Sequence, residues 1–169
     1  MRIAAEPMDR DAFEPFGAFV DHPATIGERR FFSDWLGSDA MAAAPVLHTN
    51  AVAASALPVT INKVERHPNA AQIFLPLDVS RYLVTVMPSR ADGGPDQQGA
   101  RSFVVPGTIG TVYRRGVWHV GMTALDRRAH FAVLMWRGTS DDDVFADVPV
   151  LVVTSGADVA PAGSMETAE

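Results

Sequence analysis

The 169-residue chain contains no cysteine. That excludes disulfide scaffolds, thiolate zinc centres and cysteine nucleophiles. Lysine is nearly missing as well: Lys63 is the only one, so almost all positive charge is arginine. Arginine grips a carboxylate through two parallel hydrogen bonds, whereas lysine offers a point charge. Basic charge is in deficit overall, with a formal net charge of -6. With no Lys/Arg stripe in the sequence, this argues against nucleic acid as the main partner. No apolar run approaches the roughly 18 residues of a membrane-spanning helix. The N-terminal Met1–Pro7 stretch lacks the apolar segment of a secretory signal. A cytoplasmic protein with no membrane partner is therefore expected. There is no GxGxxG, no phosphate-binding P-loop and no strand–helix alternation, which removes the dinucleotide-binding and P-loop folds.

What is present is β-structure. One short helix is expected over Arg10–Phe16, with Asp9 as N-cap, Asp11 and Glu14 in its first turn, Phe13 and Phe16 on one face, and Gly17 at the C′ position. Strands are expected at Phe19-Val20, Pro45–Val52, Val59–Glu65, Ile73–Leu77, Tyr82–Met87, Arg101–Val105, Thr108–Tyr113, Trp118–Met122, Ala129–Trp136 and Val148–Val153. Pro/Gly/Asp turns separate them, and Ser89–Gln98 reads as a polar hairpin tip. Many short strands with such punctuation specify an all-β jelly roll, sandwich or barrel. The length suits one domain with a sizeable core. Residues 1–155 are expected to form it, and the small, polar 156–169 to form a flexible tail.

Ionisable residues cluster in two otherwise strand-like segments, Glu65-Arg66-His67-Pro68 with Gln72, and Tyr113-Arg114-Arg115-Gly116-Val117-Trp118-His119. Alternation along a strand sends Glu65 and His67 to one face and Arg66 to the other. Of the remaining histidines, His22 and His130 are expected at the surface or rim, and His48 is ambiguous. Taken alone, Trp118 and Tyr113 are as readily core residues as functional ones. The Asp141-Asp142-Asp143 run lacks the spacing and terminal Glu of an EF-hand loop, and reads as a solvated turn. A divalent metal remains open, with His67, Gln72 and His119 as its ligand set. The usual cupin HxH pair is missing, because Asn69 stands two residues after His67.

Several segments resemble the ureidoglycolate lyase family: Leu57–Ile61, Val64–Pro68, Gln72–Pro76, Gly110–His119 and Arg137–Asp141, together with a helix ending in Phe16-Gly17. The likeness is collinear across nearly the whole chain. It implies a cupin-like double-stranded β-helix, a homodimer, and a role in allantoin degradation, splitting ureidoglycolate into glyoxylate and urea. By position, Glu65, Arg66, His67, Gln72, Tyr113, Trp118 and His119 match family motif residues. The chain departs from the family pattern at Ala71, Val112, Val120, Gly121, and after Asn50.

The implied substrate is a small anion, a carbinolamide bearing a carboxylate. Its cleavage needs a base for the hydroxyl proton, an acid for the departing nitrogen and a cation for the carboxylate, with no redox cofactor. His119 or His67 is expected as base, with Glu65 orienting it or exchanging roles. Arg66 supplies the carboxylate clamp, or Arg114 or Arg115 if Arg66 faces away. Gln72, Tyr113 and Trp118 complete the expected binding set. Two alternatives stand beside this: a diverged cupin enzyme for another small carboxylate, with or without metal, and a non-catalytic small-molecule binding domain.

Overall fold

A computed structural model of the chain describes residues 1–37, 43–157 and 159. Among these there are fourteen strands and one α-helix. The chain opens with β1 (Arg2–Ala4), β2 (Glu6–Pro7), helix α1 (Arg10–Phe13) and β3 (Gly17–Val20). The central run is β4 (Ala44–Val52), β5 (Ala54–Ser55), β6 (Val59–Arg66), β7 (Gln72–Pro76) and β8 (Arg81–Met87). After the Ser89–Gln98 loop come β9 (Arg101–Pro106), β10 (Gly110–Tyr113), β11 (Trp118–His119), β12 (Thr123–Leu125), β13 (Ala129–Arg137) and β14 (Val144–Thr154).

The strands form a nine-stranded and a five-stranded sheet. Their pairing is nested. β4 pairs with β13, β6 with β11, β7 with β10 and β8 with β9, each antiparallel. Four strands thus run in, and four return beside them in reverse order. β13 also joins β7, and β11 also joins β8, so the nested pairs assemble alternately into the two sheets. That is the topology of a double-stranded β-helix, the cupin-like jelly roll.

Sequence alternation explains which side chains face inward. Along β13, Ala129, Phe131, Val133 and Met135 are buried and the residues between them are partly exposed, as a period of two demands. β8 is buried from Tyr82 to Met87, because its neighbours flank it and both of its faces are covered. Helix α1 docks Phe13 into this interior. The Phe13 ring stacks on Phe19 at 4.4 Å and meets Phe103 edge-on at 5.8 Å.

Asp9 caps α1 as expected, its carboxylate accepting the Ala12 N–H at 3.0 Å. The helix is shorter than its sequence suggests, ending at Phe13. Pro15 carries no N–H to continue the ladder. Gly17 is therefore not a helix cap; it opens β3, where a Cβ would sit 1.9 Å from the Val112 carbonyl oxygen. The expected strand Trp118–Met122 stops at His119 and the chain re-enters the sheet as β12. β14 is longer than expected, with a register shift between Asp147 and Leu151 around Pro149, which cannot donate to the ladder. Val159 packs on the second hydrophobic cluster; residues 158 and 160–169 of the expected tail lie outside the described residues.

Candidate active site

β6 and β11 lie antiparallel with Glu65 opposite His119. Directly paired residues share a face of the sheet, so the carboxylate and the imidazole both enter the barrel, with Glu65 Oε1 3.4 Å from His119 Nε2. His67 leaves the end of β6 on the same side, its ring centroid 5.3 Å from that of His119. The facing sheet supplies the rest. Gln72 and Tyr113 are in register on β7 and β10. Gln72 Oε1 lies 3.1 Å from His119 Nε2, and the Tyr113 ring stacks on His119 at 4.3 Å. His67, His119 and Tyr113 are all buried, at 3%, 1% and 1% exposure. Five residues drawn from four strands and one strand end thus meet between the sheets.

The hydrogen bonds fix how the imidazoles are oriented. His119 Nδ1 lies 2.9 Å from the Val117 carbonyl oxygen. His67 Nδ1 lies 3.0 Å from the Asp142 carbonyl oxygen and 2.9 Å from the Asp143 carboxylate. A carbonyl oxygen only accepts, so each Nδ1 carries a proton and, in the neutral ring, each Nε2 presents a lone pair. Among the described residues, His67 Nε2 is buried with no hydrogen-bond partner, as is the Tyr113 hydroxyl. His119 Nε2 meets two oxygens, Gln72 Oε1 and Glu65 Oε1. The Gln72 amide is oriented by its NH₂, which reaches the Met135 sulfur at 3.6 Å. The cluster is rich in lone pairs and calls for a proton or a cation at its centre.

The ionisation states follow from burial and neighbours. Burial pushes the Glu65 carboxyl up, but the hydrogen bond to His119 and the charges of His119 and His67 outweigh it, leaving the group below its ordinary value. Glu65 is thus held ionised, not raised towards neutrality. Burial and the proximity of His119 push His67 down, against the opposing pull of Asp142, Glu65 and Asp143. Burial lifts Tyr113 well above the ordinary phenol value and keeps it protonated.

Other residues expected at the site lie apart from this cluster. Arg66 points through the opposite face of β6, as strand alternation requires. Its guanidinium sits 4.7 Å over the Trp118 ring. Both side chains donate to the Gly93 carbonyl oxygen, at 3.0 Å from Arg66 and 3.1 Å from Trp118. Arg114 is paired with Glu14 at 2.7 Å and lies 4.3 Å over the Trp35 ring. Arg114 and Arg115 line a cleft of about 570 Å³ with Arg101, Phe16, Met87 and Val117. That cleft borders the start of β11, where the Gly116 N–H bonds the His67 carbonyl oxygen at 2.9 Å. His22 is exposed, and His130 is held at the rim by Asp78 at 2.7 Å.

The sequence reading overlooked Asp143. Its run of three aspartates reads as a solvated turn, yet one carboxylate folds back onto His67. Only its nearness to the Arg137–Asp141 segment could have drawn attention to it.

The family model described as ureidoglycolate lyase matches residues 1–156. The chain belongs to the ureidoglycolate lyase family. Ureidoglycolate lyase of Pseudomonas syringae pv. syringae is 30% identical over 167 residues, covering 90% of this chain and 95% of its own. The Burkholderia cepacia ureidoglycolate lyase is 33% identical over 141 residues, 78% of each chain. Among solved structures, RmlC from Streptococcus suis in complex with dTDP-D-xylose is similar over 57% of this chain and 45% of its own, with 14% identity and a TM-score of 0.43.

Proposed function

We propose that this enzyme cleaves ureidoglycolate to glyoxylate and urea, as a carbon–nitrogen lyase of allantoin degradation. The observation that carries the reading is the pair of buried imidazoles, each pinned at Nδ1 by a carbonyl oxygen, with Glu65 and Gln72 both meeting His119 Nε2. Such a pair suits a reaction that removes one proton and delivers another. His67 Nε2, in a ring kept neutral by burial, takes the hydroxyl proton of the carbinolamide. The C–O bond becomes the aldehyde of glyoxylate, the C–N bond breaks, and its electron pair stays on nitrogen. Protonated His119, steadied by the Glu65 carboxylate, returns a proton to that nitrogen and urea departs. Tyr113 and Gln72 bind polar groups of the substrate, and the arginine-lined cleft beside β11 supplies the carboxylate clamp.

The donor set also fits a divalent ion. Ligating atoms of Glu65, His67 and His119 lie within 4.8 Å of one another, and Gln72 Oε1 is beside them. Both imidazoles carry the carbonyl-pinned Nδ1 typical of metal ligands. All donors are nitrogen or oxygen, which suits first-row divalent ions. When bound, such an ion would polarise a substrate oxygen as a Lewis acid.

Incubation with racemic ureidoglycolate, following urea and glyoxylate together, tests the function. Equimolar release of both is expected. Ammonia in place of urea would indicate amidohydrolase chemistry instead. Neither product would favour the second reading, an enzyme for another small carboxylate. That reading has one structural support: Gly121, a departure from the family pattern, leaves its would-be Cβ 3.9 Å from Glu65 Oε1, so position 121 itself contributes no side chain to that flank of the site.

A further inference from the structure

The segment between β13 and β14 resembles a family motif, yet none of its residues belongs to the reacting cluster. It is nonetheless tightly built. The Asp142 carboxylate accepts the Gly138 N–H at 2.8 Å and the Thr139 N–H at 3.1 Å. The Asn69 amide, two residues after His67, donates to Thr139 Oγ1 and to the Ser140 carbonyl oxygen, both at 3.0 Å. Arg137 then forks onto Asp143, with contacts of 2.7 and 2.9 Å to the two carboxylate oxygens. This leaves Asp143 Oδ1 2.9 Å from His67 Nδ1, beside the Asp142 carbonyl oxygen at 3.0 Å.

Two oxygens therefore lie within 3.0 Å of one imidazole nitrogen: the Asp142 carbonyl, which accepts its hydrogen bond, and a carboxylate clamped by arginine, which is close enough for an ion pair. We propose that Asp143, held by Arg137, is a positioning residue that keeps His67 in its Nδ1–H form with the Nε2 lone pair aimed at Glu65 and His119. The arrangement follows general chemistry: an imidazole has two nitrogens, and a fixed acceptor at one decides which of them is free to work. The inference rests on the reading of His67 as the working base, and it extends the site by two residues. It also gives the Arg137–Asp143 segment a task that a solvated turn would not have.

Long-range ¹H–¹⁵N correlation spectra of the His67 ring, assigned by loss of signals in His67→Gln, test it without substrate. In the wild type, Nδ1 is expected to give the protonated type of signal and Nε2 the bare type. Asp143→Ala should mix the two forms and lower kcat by about 10- to 100-fold, the scale known for groups that orient metal-bound imidazoles, with little change in KM. Asp143→Asn, which keeps an oxygen acceptor, should restore most of both. If the alanine variant melts too low to study, Arg137→Gln frees the carboxylate while retaining it, and should also mix the two forms. An unchanged His67 pattern in the alanine variant, or in Arg137→Gln where that variant is used, would overturn the proposal, since the Asp142 carbonyl would then suffice. A wild-type ring protonated at Nε2 would overturn it too. A wild type with the expected ring pattern but no urea release would sink the substrate reading and leave the positioning role standing.

Discussion

At the residue scale the site is defined by which nitrogen atoms are already engaged. His119 and His67 each spend Nδ1 on a backbone carbonyl, so their chemistry is confined to Nε2. Replacing His119 by Ala is expected to lower turnover by about two to four orders of magnitude, the range for loss of a general acid–base group; urea release under saturating substrate measures it. The pH profile follows from His67. Its pKa is held below the ordinary 6.5, so His67, the proposed base, stays neutral until the pH drops below that value. The acid limb of kcat/KM is expected below pH 6.5, and a limb above it would remove His67 as the base. The same depression means that the unfolded chain takes up a proton below pH 6.5 which the folded chain refuses. The associated stability is complete above 6.5 and is lost as the pH falls towards the folded value. None of this is legible in sequence. The E-R-H-P and G-V-W-H segments identify histidines, but their neighbours Val117 and Asp142 act through backbone oxygens, which carry no residue-specific signal.

At the element scale, the long alternating strands were legible and the short ones were not. β13, with Phe131 and Val133 facing in, and β8, with its apolar Tyr82–Val84 and Val86–Met87, follow from pattern alone. β1, β2, β5 and β12 have two or three residues each, and such segments become strands only because a neighbour accepts them. The end of α1 shows the same limit: Gly17 looked like a cap, but its lack of a side chain serves the approach of β3 to β10. Gly17→Ala is accordingly expected to destabilise the fold by about 1–3 kcal/mol, the usual cost of forcing atoms into a packed interior. Urea denaturation checks it, and a variant within error of the wild type would show that the β3–β10 contact relaxes freely. Strand alternation correctly separates Glu65 and His67 from Arg66, and the structure adds where Arg66 goes: onto Trp118 and the Gly93 carbonyl.

At the scale of the whole molecule, the nested pairing of β4–β8 with β9–β13 is what makes a site at all. Glu65 and His119 are 54 positions apart in sequence (119 − 65) and directly opposite in the sheet. Gln72 and Tyr113 reach the same point from the other sheet. Composition and pattern by themselves determined the all-β class, the lack of any thiol chemistry, the acidic balance and the resemblance to the family. These depend on residue type and local spacing, which a sequence states outright. Only the tertiary structure decided which polar residues meet, which face away, and which nitrogen of each histidine remains free, because these depend on strand register and on backbone oxygens brought in from distant segments. Asp143 marks the boundary between the two. As sequence it is the last of three aspartates in a turn; in the folded chain, 2.9 Å from His67, it faces the imidazole whose other nitrogen opens onto the site.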